Sequence, residues 1–343
     1  MTNGAAAGDA LVLLPPAAPL VAAPRGAVLH RLTGQSMGSV WRLVLAATPA
    51  APLAAVQARI EACLAGLVQQ MSHWEPDSEL SRFNRLPAGQ WQTLSPDFAQ
   101  VMRLALRVAE QSGGAFDPAL GAAIDRWGFG STGRFDCAGF SVPVGTDPQP
   151  LGAWRGLRLD GARLQQPGAC RLDLSAIAKG HAVDAVAAVL RADGHHNFLF
   201  ELGGELRGEG LRADGQPWWV ALERPPGAAN LPPLRVALVG HAMTTSGDYR
   251  QGFRDAQGRW CSHTLDPRTQ APVHHALASV SVLHERCADA DALATALFVM
   301  GREDGRAWAD RHGVAAWFVA RDSDAPGGCR EGPSAALQAW LDD

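Results

Sequence analysis

Residues 171–202 read RLDLSAIAKGHAVDAVAAVLRADGHHNFLFEL. Arg171–Leu174 alternates polar and apolar side chains, the period of a half-buried strand. Ala182, Val183, Val186, Val189 and Leu190 then recur at helical spacing across Lys179–Ala192, and Gly194 closes that helix. Phe198–Leu202 returns to strand texture. The next two runs, Glu205–Gly210 and Pro217–Leu222, are joined through Arg212-Ala213-Asp214-Gly215, and the Asp-Gly pair predicts a hairpin. A helix set among strands of antiparallel character predicts an α+β fold, with mixed or antiparallel sheets and flanking helices, rather than a doubly wound sheet.

Working outward, a strand is expected around Val40–Leu45, and Leu53, Val56, Ile60, Leu64, Leu67 and Met71 form the apolar stripe of a helix. Ser95 and Pro96 have the order of an N-cap and first helical residue, with Val101, Leu104, Ala105 and Val108 facing inward and Gly113-Gly114 as the stop. Gly156–Asp160 reads as a short strand. Helices are expected at Ala288–Met300, Glu303–Arg311 and Ala335–Leu341, and a strand at Val314–Ala320. Residues 29–343 read as one unit, with a soft boundary near 131–152, and residues 1–28 as a disordered lead-in.

Composition narrows the function. Of 343 residues, 47% are hydrophobic and 19% charged, with a formal net charge of −4, which fits neither disorder nor an electrostatic footprint for nucleic acid. The six cysteines lack metal-finger spacing and are read as free thiols. The apolar run Leu11–Ala23 contains Pro15, Pro16 and Pro19 and is too short to span a membrane. It carries no basic residue before it and no Cys after it, so the chain as given is expected to be cytoplasmic, the periplasm being the alternative if the true start lies upstream. Lys179 is the one lysine among 30 basic residues, and Tyr249 the one tyrosine. A chain that otherwise uses Arg places its lysine where a compact ammonium is wanted, unless that lysine is a survivor of chance.

Asp291 and Thr295 are four apart in an expected helix, so a carboxylate and a hydroxyl face one side and can offer oxygens to one cation of the Mg²⁺ type. The same pair also fits an acid near a helix start and a core-facing Thr. Asp173–Gly180 runs through a turn into the helix that begins near Lys179, and a helix N-terminus beside an ammonium suits phosphate. Asp173 has two readings, a ligand contact or a helix cap. Gly203-Gly204 and Thr244–Tyr249 supply bare backbone and small hydroxyls, and His263 is a candidate general base.

In order and company these pieces resemble the ApbE family of FAD:protein FMN transferases. The resemblance runs from Met37-Gly38-Ser39 through Met71–Asn84, with its Ser78-Glu79-Leu80-Ser81-Arg82-Phe83-Asn84. It continues through Gly114–Pro118, Trp127–Gly130, Ala178-Lys179-Gly180, Val183-Asp184, Leu202–Gly204, Thr245–Arg250, His263 with Asp266-Pro267, and Ala290–Thr295. Such membership implies one α+β unit with a flavin cleft. FAD would be held by Met37, Trp74, Ala115, Phe116, Asp117, Asp173, Lys179 and Thr264. Mg²⁺ would be held by Asp291, Thr295 and the backbone oxygen of Ala176. It also implies an acceptor protein whose Thr or Ser hydroxyl takes FMN as AMP leaves. His263 is the expected base, with Asp248 or metal-bound water as alternatives. Gln270 stands where the family has Gly, which predicts a different backbone there. A Mg²⁺-dependent FAD pyrophosphatase and a non-catalytic flavin-binding protein are the rival readings.

Overall fold

The computed structural model describes residues 11–13 and 20–342, except 133, 138–139, 143–149, 227, 229–232 and 326–327. Most of the expected lead-in and the middle of the expected soft boundary therefore lie outside the described residues. Eight strands form one sheet: β1 (Val28–Ser36), β2 (Ser39–Ala47), β3 (Phe198–Leu202), β4 (Glu205–Glu209), β5 (His241–Gly247), β6 (Leu277–His284), β7 (Ala315–Arg321) and β8 (Cys329–Pro333). They lie side by side in chain order, every neighbouring pair antiparallel. The helices are insertions into this meander. Between β2 and β3 come α1 (Leu53–Met71), α2 (Glu79–Asn84), α3 (Pro96–Gln111), α4 (Gly121–Arg126) and α5 (Ala178–Ala192). Between β6 and β7 come α6 (Cys287–Met300) and α7 (Arg302–His312), and α8 (Ala335–Asp342) follows β8.

Alternation along the strands gives the sheet two apolar faces. Trp41, Leu43 and Leu45 of β2 face a core shared with α1, α3, α5 and α6. Ala46, Met243, Leu283, Trp317 and Val319 face a second core with Trp218, Leu234, Val236 and Leu337. That side is covered by α8 and a small sheet in which Leu234–Leu238 pairs with Trp218–Ala221 and, in parallel, with Leu11–Leu13. The helix α6 is apolar on nearly every side and buried along its length. Such a helix sits inside the molecule, so each acid on it needs a partner.

Three local expectations are corrected by partner choice. Arg171–Leu174 is not a sheet strand: it makes a single bridge to Leu120, and Asn84 takes both backbone groups of Leu172, at 2.8 and 2.9 Å. The Asp214-Gly215 turn forms, but its flanking runs do not pair with each other, since β4 joins β3 and β5 while Trp218–Ala221 belongs to the small sheet. Ser95 precedes α3 without capping it by its side chain; its hydroxyl is bonded to Gln70.

Candidate active site

The turn from β1 to β2 is Met37-Gly38, both at positive φ (50° and 68°), the two-residue geometry that matches strand twist. Met37 takes this conformation without the freedom of Gly. The serines of the 72–81 segment build the next wall. Ser78 caps α2 by accepting from Ser81 N–H and donates to the Ser72 carbonyl, while Ser72 accepts from Trp74 N–H. This presents Trp74 at the surface, 48% exposed, with the Arg134 guanidinium 5.6 Å from its ring.

Asp173 is buried, and it is neither the last residue before α5 nor its cap. One oxygen accepts from Ser175 N–H at 2.8 Å and the other lies 3.2 Å from His73 Nδ1, next to Trp74. Its own N–H donates to the Pro118 carbonyl, which lays Ala115–Pro118 along the same ridge. Burial pushes the Asp117 carboxyl up to about 6, against the Ala119 N–H and Arg155. Phe116 is a core residue, 2% exposed, and its N–H donates to Ser112 Oγ at 3.1 Å, so its side chain is not offered to a ligand.

Lys179 stands in the first turn of α5, and its ammonium is paired with Glu205 at the start of β4. Burial acts to lower its pKa, but Glu205 and Asp291 outweigh that and hold the ammonium above its ordinary value. Asp291, on buried α6, accepts from Gly180 N–H at 2.9 Å. Burial, with the Glu205 charge adding to it, raises its carboxyl to about 7, against Lys179 and the Gly180 N–H. Thr295 lies one turn along, 3.4 Å from the Ser246 hydroxyl of β5. Glu205 escaped the sequence reading; the signal was a carboxylate directly after a Gly-Gly turn, too ordinary to single out.

His263 is half-buried, with Phe129 edge-on at 6.4 Å. Its Nδ1 lies 3.2 Å from the Gln251 carbonyl, which can only accept, so Nδ1 carries the proton and Nε2 keeps its lone pair. Burial lowers its pKa, with Lys179 adding to the effect against the Gln251 carbonyl and Asp248. Asp248 itself is clamped by Arg321 through both oxygens, at 2.6 and 2.7 Å. Thr264 meets its neighbours through its backbone, donating to Ser262 Oγ and accepting from Val273 N–H. Gln270 adopts a left-handed backbone (φ 54°), held by Asp266 and by the Trp127 indole on its carbonyl at 2.8 Å. A surface cleft of about 620 Å³ between α6, α7 and α8 contains none of these residues. All six cysteines are free, and among the described residues no helix is long and apolar enough to cross a membrane.

The ApbE family model matches residues 37–318. A FAD:protein FMN transferase of Vibrio cholerae is 34% identical over 315 residues, covering 90% of this chain and 92% of the relative. One from Haemophilus influenzae is 35% identical over 272 residues, covering 76% and 77%. Among solved structures, the apo flavinyl transferase ApbE of Pseudomonas stutzeri superposes with a TM-score of 0.83 at 36% identity, covering 92% of this chain and 98% of its own. The flavin transferase ApbE of Vibrio cholerae gives 0.80 at 33%, covering 91% and 99%. Matched over most of its length by the family model, and spanning such relatives nearly end to end, the chain belongs to the ApbE family of flavin transferases.

Proposed function

We propose that the chain transfers the FMN half of FAD to a Thr or Ser hydroxyl of an acceptor protein, releasing AMP, with Mg²⁺ as its cation. The observation that carries this reading is the meeting of Lys179, Glu205 and Asp291, one residue from each of α5, β4 and α6, beside His263. Two buried carboxylates stand about one ammonium, which is paired with Glu205 and feels the Asp291 charge, and burial together with the Glu205 charge raises the Asp291 carboxyl. A cation beside these carboxylates would offset both the burial and the repulsion.

Asp291, Thr295 and the Ala176 carbonyl would hold Mg²⁺. Gly180 N–H goes to Asp291 instead of to the carbonyl four residues before it, and among the described residues no backbone N–H claims that Ala176 oxygen. No three His, Cys, Asp or Glu side chains gather as a metal cluster among the described residues, which suits Mg²⁺, since it takes few protein ligands and fills its shell with water and phosphate. When bound, the ion supplies charge neutralisation at the phosphates.

The chain's own groups do the rest. Trp74 offers a flat exposed face for a ring system. Lys179 neutralises the transferring phosphate as charge builds on its oxygens. The acceptor hydroxyl gives its proton to His263 Nε2 as its oxygen attacks the FMN-side phosphorus. The bond from that phosphorus to the bridging oxygen breaks, and AMP leaves with that oxygen. Asp248, occupied by Arg321, acts on His263 through its charge. The test is incubation with FAD and Mg²⁺, with and without a candidate acceptor, following AMP, free FMN and covalent flavin. AMP matched by covalent flavin supports transfer. AMP matched by free FMN in both arms would replace it with hydrolysis.

A further inference from the structure

Lysine carries its charge on a flexible four-carbon stem, and nothing in the first turn of a helix by itself aims that stem. In this site the aim comes from β4. Gly203 and Gly204 turn the chain at positive φ (66° and 112°), and Glu205 follows at once, paired in register with Leu202. A side chain at Gly203 would meet Ser39 Oγ at 2.8 Å, so the bare turn is what lets the start of β4 close on the Met37–Ser39 corner, where Glu205 Oε2 also stands. Glu205 is 5% exposed; Oε1 pairs with Lys179, and Oε2 is buried with no hydrogen-bond partner. Asp291 gives an oxygen to the Gly180 N–H, which leaves Glu205 as the carboxylate bonded to the ammonium.

A half-satisfied buried carboxylate is a poor device for stability alone, because an apolar side chain of the same volume holds a strand start at no desolvation cost. We infer that Glu205 is the positioning residue of Lys179, holding the ammonium where the phosphate is transferred and acting on the reaction only through it. This rests on the reading of Lys179 given above.

The test is a double-mutant cycle in the full chain. Lys179→Met, Glu205→Gln and the double variant are compared for FMN transfer, for FAD affinity by flavin fluorescence without acceptor, and for thermal melting. Glu205→Gln is expected to lower kcat on the order of tenfold to a hundredfold with FAD affinity little changed, and to slow the Lys179→Met enzyme no further. Glu205→Met, which fills the same space without charge, replaces Glu205→Gln in the cycle if the latter melts early. Because the chain has one lysine, ¹⁵N-lysine labelling gives a single ammonium signal, expected to move in Glu205→Gln without FAD or metal. Additive losses, a parental rate in Glu205→Gln, or an unmoved ammonium signal would overturn the inference. A parental rate in Lys179→Met would instead overturn the role of Lys179, and this inference with it.

Discussion

The backbone N–H of Gly180 donates to Asp291 Oδ2 across 2.9 Å, so the first turn of α5 is fastened to a carboxylate inside α6. The contact needs a glycine. A Cβ at position 180 would lie 2.5 Å from the Cys287 carbonyl oxygen and 2.7 Å from Asp291 Cβ. Gly180→Ala must therefore push the two helices apart, at a cost of about 1–3 kcal/mol. A melting temperature lowered by several degrees, together with a large loss of transfer, is the expected result. A variant matching the parent in both would show that the helices have slack.

Asp291 also makes stability depend on pH when no cation is bound. Its folded carboxyl titrates at about 7, above the ~3.9 of a free Asp, so between those values the folded state holds more protons than the unfolded state. Stability then falls as pH rises through that window, by up to about 1.4 kcal/mol per unit, and levels off above it. Melts in chelator at pH 5 and pH 8 should show Asp291→Asn losing less stability than the parent over that rise. Mg²⁺ at pH 8 should raise the parent alone, and Asp291→Ala should bind FAD but fail in Mg²⁺-dependent transfer. Identical pH slopes in parent and variant would remove Asp291 from this account.

In the proposed reaction His263 can serve as base only when neutral, and burial has moved its pKa down. The transfer rate should therefore rise with pH to an inflection below the ~6.5 of a free imidazole. His263→Ala should cost about 10²- to 10⁴-fold in kcat and erase that limb. An acid limb that persists unchanged in the variant points to another base.

Lys179→Arg keeps the charge and changes the shape. The planar guanidinium must fit a place framed by Glu205 and Asp291, where a compact ammonium is surrounded by carboxylates. Transfer is expected to fall by roughly ten- to a hundredfold, the worth of a charge-assisted contact of about 1.5–3 kcal/mol, and Lys179→Met to be at least as damaging. Rates and FAD affinity equal to the parent in Lys179→Arg would make this lysine an ordinary surface charge.

The sequence by itself determined where the elements lie and which family they compose, because periodicity, caps and ordered motifs are local properties. The stripe from Leu53 to Met71 is α1, and the texture of Phe198–Leu202 is β3. At Gln270 the backbone is left-handed without a glycine, and Asp266 and Trp127 hold that turn from either side. Only the tertiary structure decided who pairs with whom. Arg171–Leu174 alternates like a strand, yet Asn84 reaches it from 88 positions away and takes the hydrogen bonds a sheet would use. Gly180 meets Asp291 across 111 positions, Lys179 meets Glu205 across 26, and Asp248 is claimed by Arg321 across 73. A buried backbone group or charge must find a partner, and folding brings several within reach at once. Which of them answers depends on distances set by the packed sheet and helices, and no local pattern in the chain encodes those distances.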